Sequence, residues 1–185
     1  MKKVVLLGDS IRLIGYGEEV EKRLSGDFSV WQSTNNDRYA KHTYREIVDL
    51  DQELADVDIV HWNNGLWDIQ IREDGEPLTP LSYYVYDMTR IAKFLKTRAK
   101  VVIFATTTPV NPDNETMHNA EIDAYNAAVV PVLRELGVVI NDLNAAVSKN
   151  VPRYICEDLV HLSAEGITLC ASLVENAIRT EAEKM

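Results

Sequence analysis

Five short runs of the chain are apolar nearly throughout, at residues 3–7, 27–31, 59–62, 101–105 and 138–140. A strand with one face in water alternates apolar and polar positions, whereas unbroken apolar runs of this length suit parallel strands buried on both faces. Between the runs, apolar positions recur at three- and four-residue spacing. That spacing predicts helices over residues 13–24, 43–54, 82–97 and 117–136, with a fifth over 163–183 after the last strand. In the closing segment Ile167, Cys170, Ala171, Val174 and Ile178 share one face, and Ser163 before Gly166 is placed to cap its start.

Strands alternating with helices predict an α/β fold, a three-layer α/β/α sandwich around a five-stranded parallel sheet. Right-handed crossovers restrict the strand order, and the flavodoxin-like order 2-1-3-4-5 is the expected one. Functional residues in such a sheet belong in the loops at the carboxyl ends of the strands. Two turn-rich stretches, Asp74-Gly75-Glu76-Pro77 and residues 109–114, follow the third and fourth strands and are placed to rim a site. With no repeat, linker or low-complexity segment, residues 1–185 read as one domain.

Composition narrows the class of partner. The chain carries 29 acidic against 19 basic residues, a net charge of −10, and no stretch concentrates Lys or Arg. Its field repels polyanions, so neither nucleic acid nor an anionic membrane is an expected partner. The apolar run after Met1 ends at Gly8 and Asp9, too soon for a signal-peptide core or a membrane span, which predicts a cytoplasmic protein. Cys156 and Cys170, the two cysteines, are too few for a disulfide scaffold and fit free thiols in a reducing compartment.

The first strand runs into Gly8-Asp9-Ser10-Ile11, after which a helix begins. Glycine permits a tight strand-to-helix turn there, and the serine hydroxyl can project above the sheet beside the N–H groups of the new helix. Ser10 alone also reads as a helix cap. A serine nucleophile needs a base, and of His42, His61, His118 and His161 the last is best placed, in a loop before the closing helix. Asp158, three residues earlier, can fold back onto the imidazole to fix its tautomer. Asp-x-x-His in isolation reads equally as capping or surface residues, and a metal site with Cys156 as third ligand lacks any further ligand cluster.

Together, the early Gly8-Asp9-Ser10 and the late Asp158-Leu159-Val160-His161 resemble the signature of the SGNH/GDSL hydrolases, in the family's order and over essentially the whole chain. The resemblance implies ester hydrolysis through an acyl-serine, with Ser10, Asp158 and His161 as the triad and no cofactor. Family members usually add a second-block glycine and a third-block Gly-x-Asn-Asp as oxyanion donors. Here the second block reads Gln32-Ser33-Thr34-Asn35-Asn36-Asp37-Arg38-Tyr39, without glycine, and the third reads His61-Trp62-Asn63-Asn64-Gly65-Leu66-Trp67-Asp68, with Trp67 in the usual asparagine place. The pattern is similar to a bacterial branch with an Asn-Asn-Gly-Leu-x-Asp block. It implies Asn36 and Asn63 or Asn64 as replacement donors, and places Asp9 and Trp67 at the oxyanion and substrate site. A carboxamide N–H serves such a role as well as a backbone one. The asparagines also read as turn formers and strand-end caps.

Trp62 and Trp67 are open between pocket wall and core; His61, inside an apolar strand, reads as a hydrogen-bonded structural residue, and Thr106-Thr107-Thr108 as loop caps. The expected partner is a small-molecule acyl ester, short-chain and carbohydrate-linked. A non-catalytic binding domain of the same fold is the competing reading. A flavin or nucleotide domain is disfavoured, because the first turn has one glycine where a phosphate cradle needs three.

Overall fold

Val4, Val5, Leu6 and Leu7 are all fully buried, as a strand covered on both faces requires, and they form the centre of the sheet. The computed structural model describes residues 1–185. Strand β1 (Lys2–Gly8) lies between β2 (Phe28–Gln32) and β3 (Val57–Asn63), followed outward by β4 (Ala99–Ala105) and β5 (Val139–Asn141). All pairings are parallel and the order is 2-1-3-4-5. Two helices, α1 (Gly17–Leu24) and α8 (Ala164–Glu183), pack together over one face. On the other, α2 (Ala40–Asp49), α4 (Leu81–Lys96) and α5 (Asn119–Glu135) pack in series. One continuous cluster of buried apolar side chains fills both interfaces.

Register sets the site. Leu6 pairs with Gln32 on one side and His61 on the other, and Gly8 lies opposite Asn63. The loops after β1, β2 and β3 therefore leave the sheet at the same edge with Ser10 in the middle one. Gly8 is required there. Its φ is +147°, and a Cβ would lie 2.0 Å from Asn63 Oδ1. Gly65 plays the same part after β3, where φ is +148° and a Cβ would lie 2.0 Å from Thr107 Oγ1.

The structure departs from the sequence pattern in a few places. The helical stretch after Ser10 is broken by a kink at Gly15, so residues 11–16 form a separate wide turn before α1. Helix α2 starts three residues before the expected position because its first N–H groups find a remote partner: Ala40 N–H donates to the Asp68 carboxylate. Three short helices, α3 (Leu66–Ile69), α6 (Leu143–Val147) and α7 (Val151–Tyr154), occupy stretches with no apolar periodicity long enough to read. The cap on α8 is as the residues suggest, with Gly166 N–H donating to Ser163 Oγ at 3.1 Å. No helix is long and apolar enough to cross a membrane.

Candidate active site

Residues 155–162 form a closed loop that carries an aspartate and a histidine to the end of β1. Ile155 and Leu162 bridge, Cys156 N–H donates to the His161 carbonyl at 2.8 Å, and Leu159 takes a left-handed turn at φ +70°. The turn folds Asp158 back on the residues after it. Its Oδ1 accepts the N–H groups of Val160 and His161 at 2.9 and 2.8 Å and the Cys156 thiol at 3.0 Å. Its Oδ2 lies 2.6 Å from His161 Nδ1, and His161 Nε2 lies 2.9 Å from Ser10 Oγ. With Nδ1–H donating to Asp158, Nε2 is left to accept the serine hydroxyl, so one tautomer satisfies both contacts. Burial acts to raise the Asp158 pKa, but the thiol, the two backbone donors and the imidazole together hold it well below the usual carboxylate range.

The chain thus brings Ser10, Asp158 and His161 into one hydrogen-bonded line across 151 residues of sequence. Ser10 makes no side-chain cap to the helical turn behind it. Its N–H finds no acceptor among the loop and cap bonds, and lies at the start of that turn.

No protein-family model and no curated protein matches the sequence. Solved structures do. An acetyl xylan esterase superposes with a TM-score of 0.79 at 20% identity, covering 95% of this chain and 99% of that one. A lipase/acylhydrolase from Enterococcus faecalis superposes with a TM-score of 0.82 at 16% identity, covering 97% and 96%. A GDSL-like lipase from Bacteroides thetaiotaomicron gives 0.76 at 16% identity, covering 97% and 88%. The chain has the SGNH/GDSL hydrolase fold.

On this fold the asparagines expected at the site divide sharply. Asn64 is fully buried and donates both amide hydrogens within the protein, to the Arg38 carbonyl at 2.8 Å and Thr43 Oγ1 at 2.7 Å. It has no N–H left to offer. Asn63 donates to Asp9 Oδ1 at 2.7 Å and accepts from the Tyr16 hydroxyl at 3.0 Å, which ties it behind the Gly8 turn. Asn35 donates to Glu46 and its carbonyl takes Arg12. Asn36, half-buried, uses only its Oδ1, which accepts Arg38 N–H at 3.0 Å; its amide nitrogen is unengaged.

Asp9, expected among the substrate-facing residues, is instead sealed in. It is 1% exposed, and its Oδ1 accepts Ile11 N–H and the Asn63 amide, so it braces the Ser10 turn from behind. Trp67 is half-buried with the Arg38 guanidinium 6.0 Å from its ring centroid, while Trp62 is core, 4.9 Å from Phe104. His61 is fully buried with Nε2 3.3 Å from the Asn141 amide, and burial pushes its pKa down to about 3. Thr106, Thr107 and Thr108 are buried; Thr106 bonds Asp142, and Thr107 exchanges two bonds with Asn126 and donates to the Asn64 carbonyl. The 109–114 stretch reaches the histidine loop, with Asn111 N–H donating to the Leu159 carbonyl at 2.9 Å. Asp158, His161 and Cys156 gather no metal-binding group.

Sequence reading missed three buried charged residues around this edge: Arg12, Asp37 and Asp68, each 0% exposed. Their charge looks like ordinary surface polarity, and only the position of Arg12 on the core side of an otherwise apolar turn hints at burial. Burial raises Asp9 and Asp37 to a pKa of about 6 and Asp68 to about 7.

These shifts carry a stability consequence. A carboxylate whose folded pKa is raised contributes stability that is fully present below its unfolded pKa of about 4 and lost as pH rises through the folded value. His61, buried neutral, acts oppositely as pH falls below the free imidazole range, but it is one group against three. We expect the melting temperature to rise by about 4 °C or more between pH 8 and pH 5. Asp68→Asn should flatten that slope while leaving the pH 5 value nearly unchanged. A melting temperature that falls over the same interval in calorimetry would contradict the burial of these acids.

Proposed function

We propose that this chain is a serine esterase, a single catalytic domain acting in the cytoplasm on short-chain acyl esters. The observation that carries the reading is the Asp158–His161–Ser10 line, with contacts of 2.6 and 2.9 Å, at the carboxyl edge of the sheet. A cap or surface histidine has no reason to meet both groups at once. The neighbours in structure, named as acetyl xylan esterases and GDSL-like lipases, support the same class of chemistry and favour a carbohydrate-linked acetyl ester as substrate.

In this mechanism His161 Nε2 takes the Ser10 proton as Oγ attacks the ester carbonyl, and Asp158 stabilises the imidazolium that forms. The oxyanion is held by the Ser10 N–H and the Asn36 amide. His161 returns the proton to the leaving alcohol, then activates a water that releases the acid from the acyl-serine. Every proton donor and acceptor needed is on the chain, so no cofactor enters.

A fluorophosphonate probe tests the proposal, since only an activated serine is phosphonylated. The expected result is stoichiometric labelling at Ser10 and hydrolysis of p-nitrophenyl acetate faster than of the octanoate. EDTA should leave the rate unchanged. Absence of labelling would favour a non-catalytic binding domain, and EDTA inactivation reversed by a divalent metal would move the chemistry to a metal.

A further inference from the structure

Arg12 is fully buried two residues after the proposed nucleophile, and a charge in that position is costly unless its hydrogen bonds are made. Its guanidinium donates to the Gly8 carbonyl at 3.0 Å on one side, and on the other to the carbonyls of Asn35, at 2.7 Å, and Ser33. Gly8 belongs to the nucleophile turn; Ser33 and Asn35 belong to the loop that carries Asn36. Asp37, 4.0 Å from the guanidinium, completes the junction: its carboxylate accepts Gly8 N–H at 2.6 Å and its own N–H donates to the Gly8 carbonyl at 3.2 Å. One planar cation with its counter-ion therefore ties the two segments that must hold a fixed separation for charge stabilisation beside Ser10.

We propose that Arg12 is a positioning residue for ester turnover, locking the Ser10 turn to the Ser33–Asp37 loop through a buried guanidinium that touches no substrate. The inference rests on the serine-esterase reading above. A methionine would fill a similar volume and serve the core equally, so a purely structural residue would need no charge here. Arginine's rigid fork donates from two nitrogens to carbonyls on two loops, whereas lysine donates from one.

The test compares the wild type with Arg12→Lys and with the charge-neutral pair Arg12→Met/Asp37→Asn, in which the carboxamide oxygen of the second substitution can still accept Gly8 N–H. Activity on p-nitrophenyl acetate, fluorophosphonate labelling and melting are read at a temperature where each variant is folded. The expected order of kcat is wild type, then Arg12→Lys, then the double variant. The last should be reduced on the order of a hundredfold, with KM within about threefold of wild type. Folded variants that keep the wild-type kcat would overturn the proposal, and so would a lysine variant that fails to fold, since the arginine would then serve the fold alone. Absence of labelling in the wild type would instead overturn the serine reading, and this inference with it.

Discussion

Ser10→Ala should lower kcat/KM on p-nitrophenyl acetate on the order of a thousandfold or more, with no change in melting temperature beyond about a degree. The two halves of that expectation come from different observations. The Ser10 side chain makes no cap to the turn behind it, and its hydroxyl bonds only His161 Nε2, so removing Oγ costs the fold one half-exposed hydrogen bond. The chemistry, by contrast, loses the atom that forms the covalent bond. No other hydroxyl is hydrogen-bonded to an imidazole in this chain, so no second serine or threonine is placed to substitute. The residual rate should come from charge stabilisation and binding alone, and fluorophosphonate labelling should vanish in step. A variant that turns over undiminished would remove Ser10 from the mechanism and leave the Asp158–His161 pair to another function.

Much of the fold was legible because its determinants are local and repetitive. Buried parallel strands announce themselves as unbroken apolar runs, and the Ser163 cap and the face from Ile167 to Ile178 obey helical spacing that no tertiary contact needs to enforce. The tight turn before Ser10 was legible for a related reason, since Gly8 sits at a φ that other residues rarely adopt. What was not legible depends on partners far apart in sequence. Asn64 faces inward because Thr43 and the Arg38 carbonyl, 21 and 26 residues away, take both its amide hydrogens. Helix α2 begins at Ala40 because Asp68, 28 residues on, accepts its first N–H. Asp9 reads as facing substrate and Arg12 as an exposed charge, and both are buried only because the loops close over them. Spacing along the chain carries no record of which of two adjacent asparagines a fold will turn inward.

The Asn36 amide nitrogen makes no hydrogen bond within the protein. An ester's tetrahedral intermediate concentrates charge on one oxygen, and a site that stabilises it needs donors fixed before the charge appears. Asn64 has no amide hydrogen left, and Asn63 and Asn35 each commit one, to Asp9 and Glu46. Of the four, Asn36 is the one whose amide nitrogen makes no bond within the protein, and it lies on a loop braced by Arg12 with its carbonyl oxygen held by Arg38 N–H. Asn36→Ala should therefore lower kcat roughly a hundredfold with little change in KM, because the donor acts on charge that develops only in the transition state. Alanine also deletes the acceptor for Arg38 N–H, so the loss could reflect a loosened loop. Asn36→Asp separates the two: it keeps an oxygen for Arg38 and removes the donor. If the amide is the donor, aspartate should be as inactive as alanine or worse, since its charge repels the oxyanion. If aspartate restores the wild-type kcat, Asn36 only shapes the loop, and charge stabilisation passes to backbone N–H groups beside Ser10.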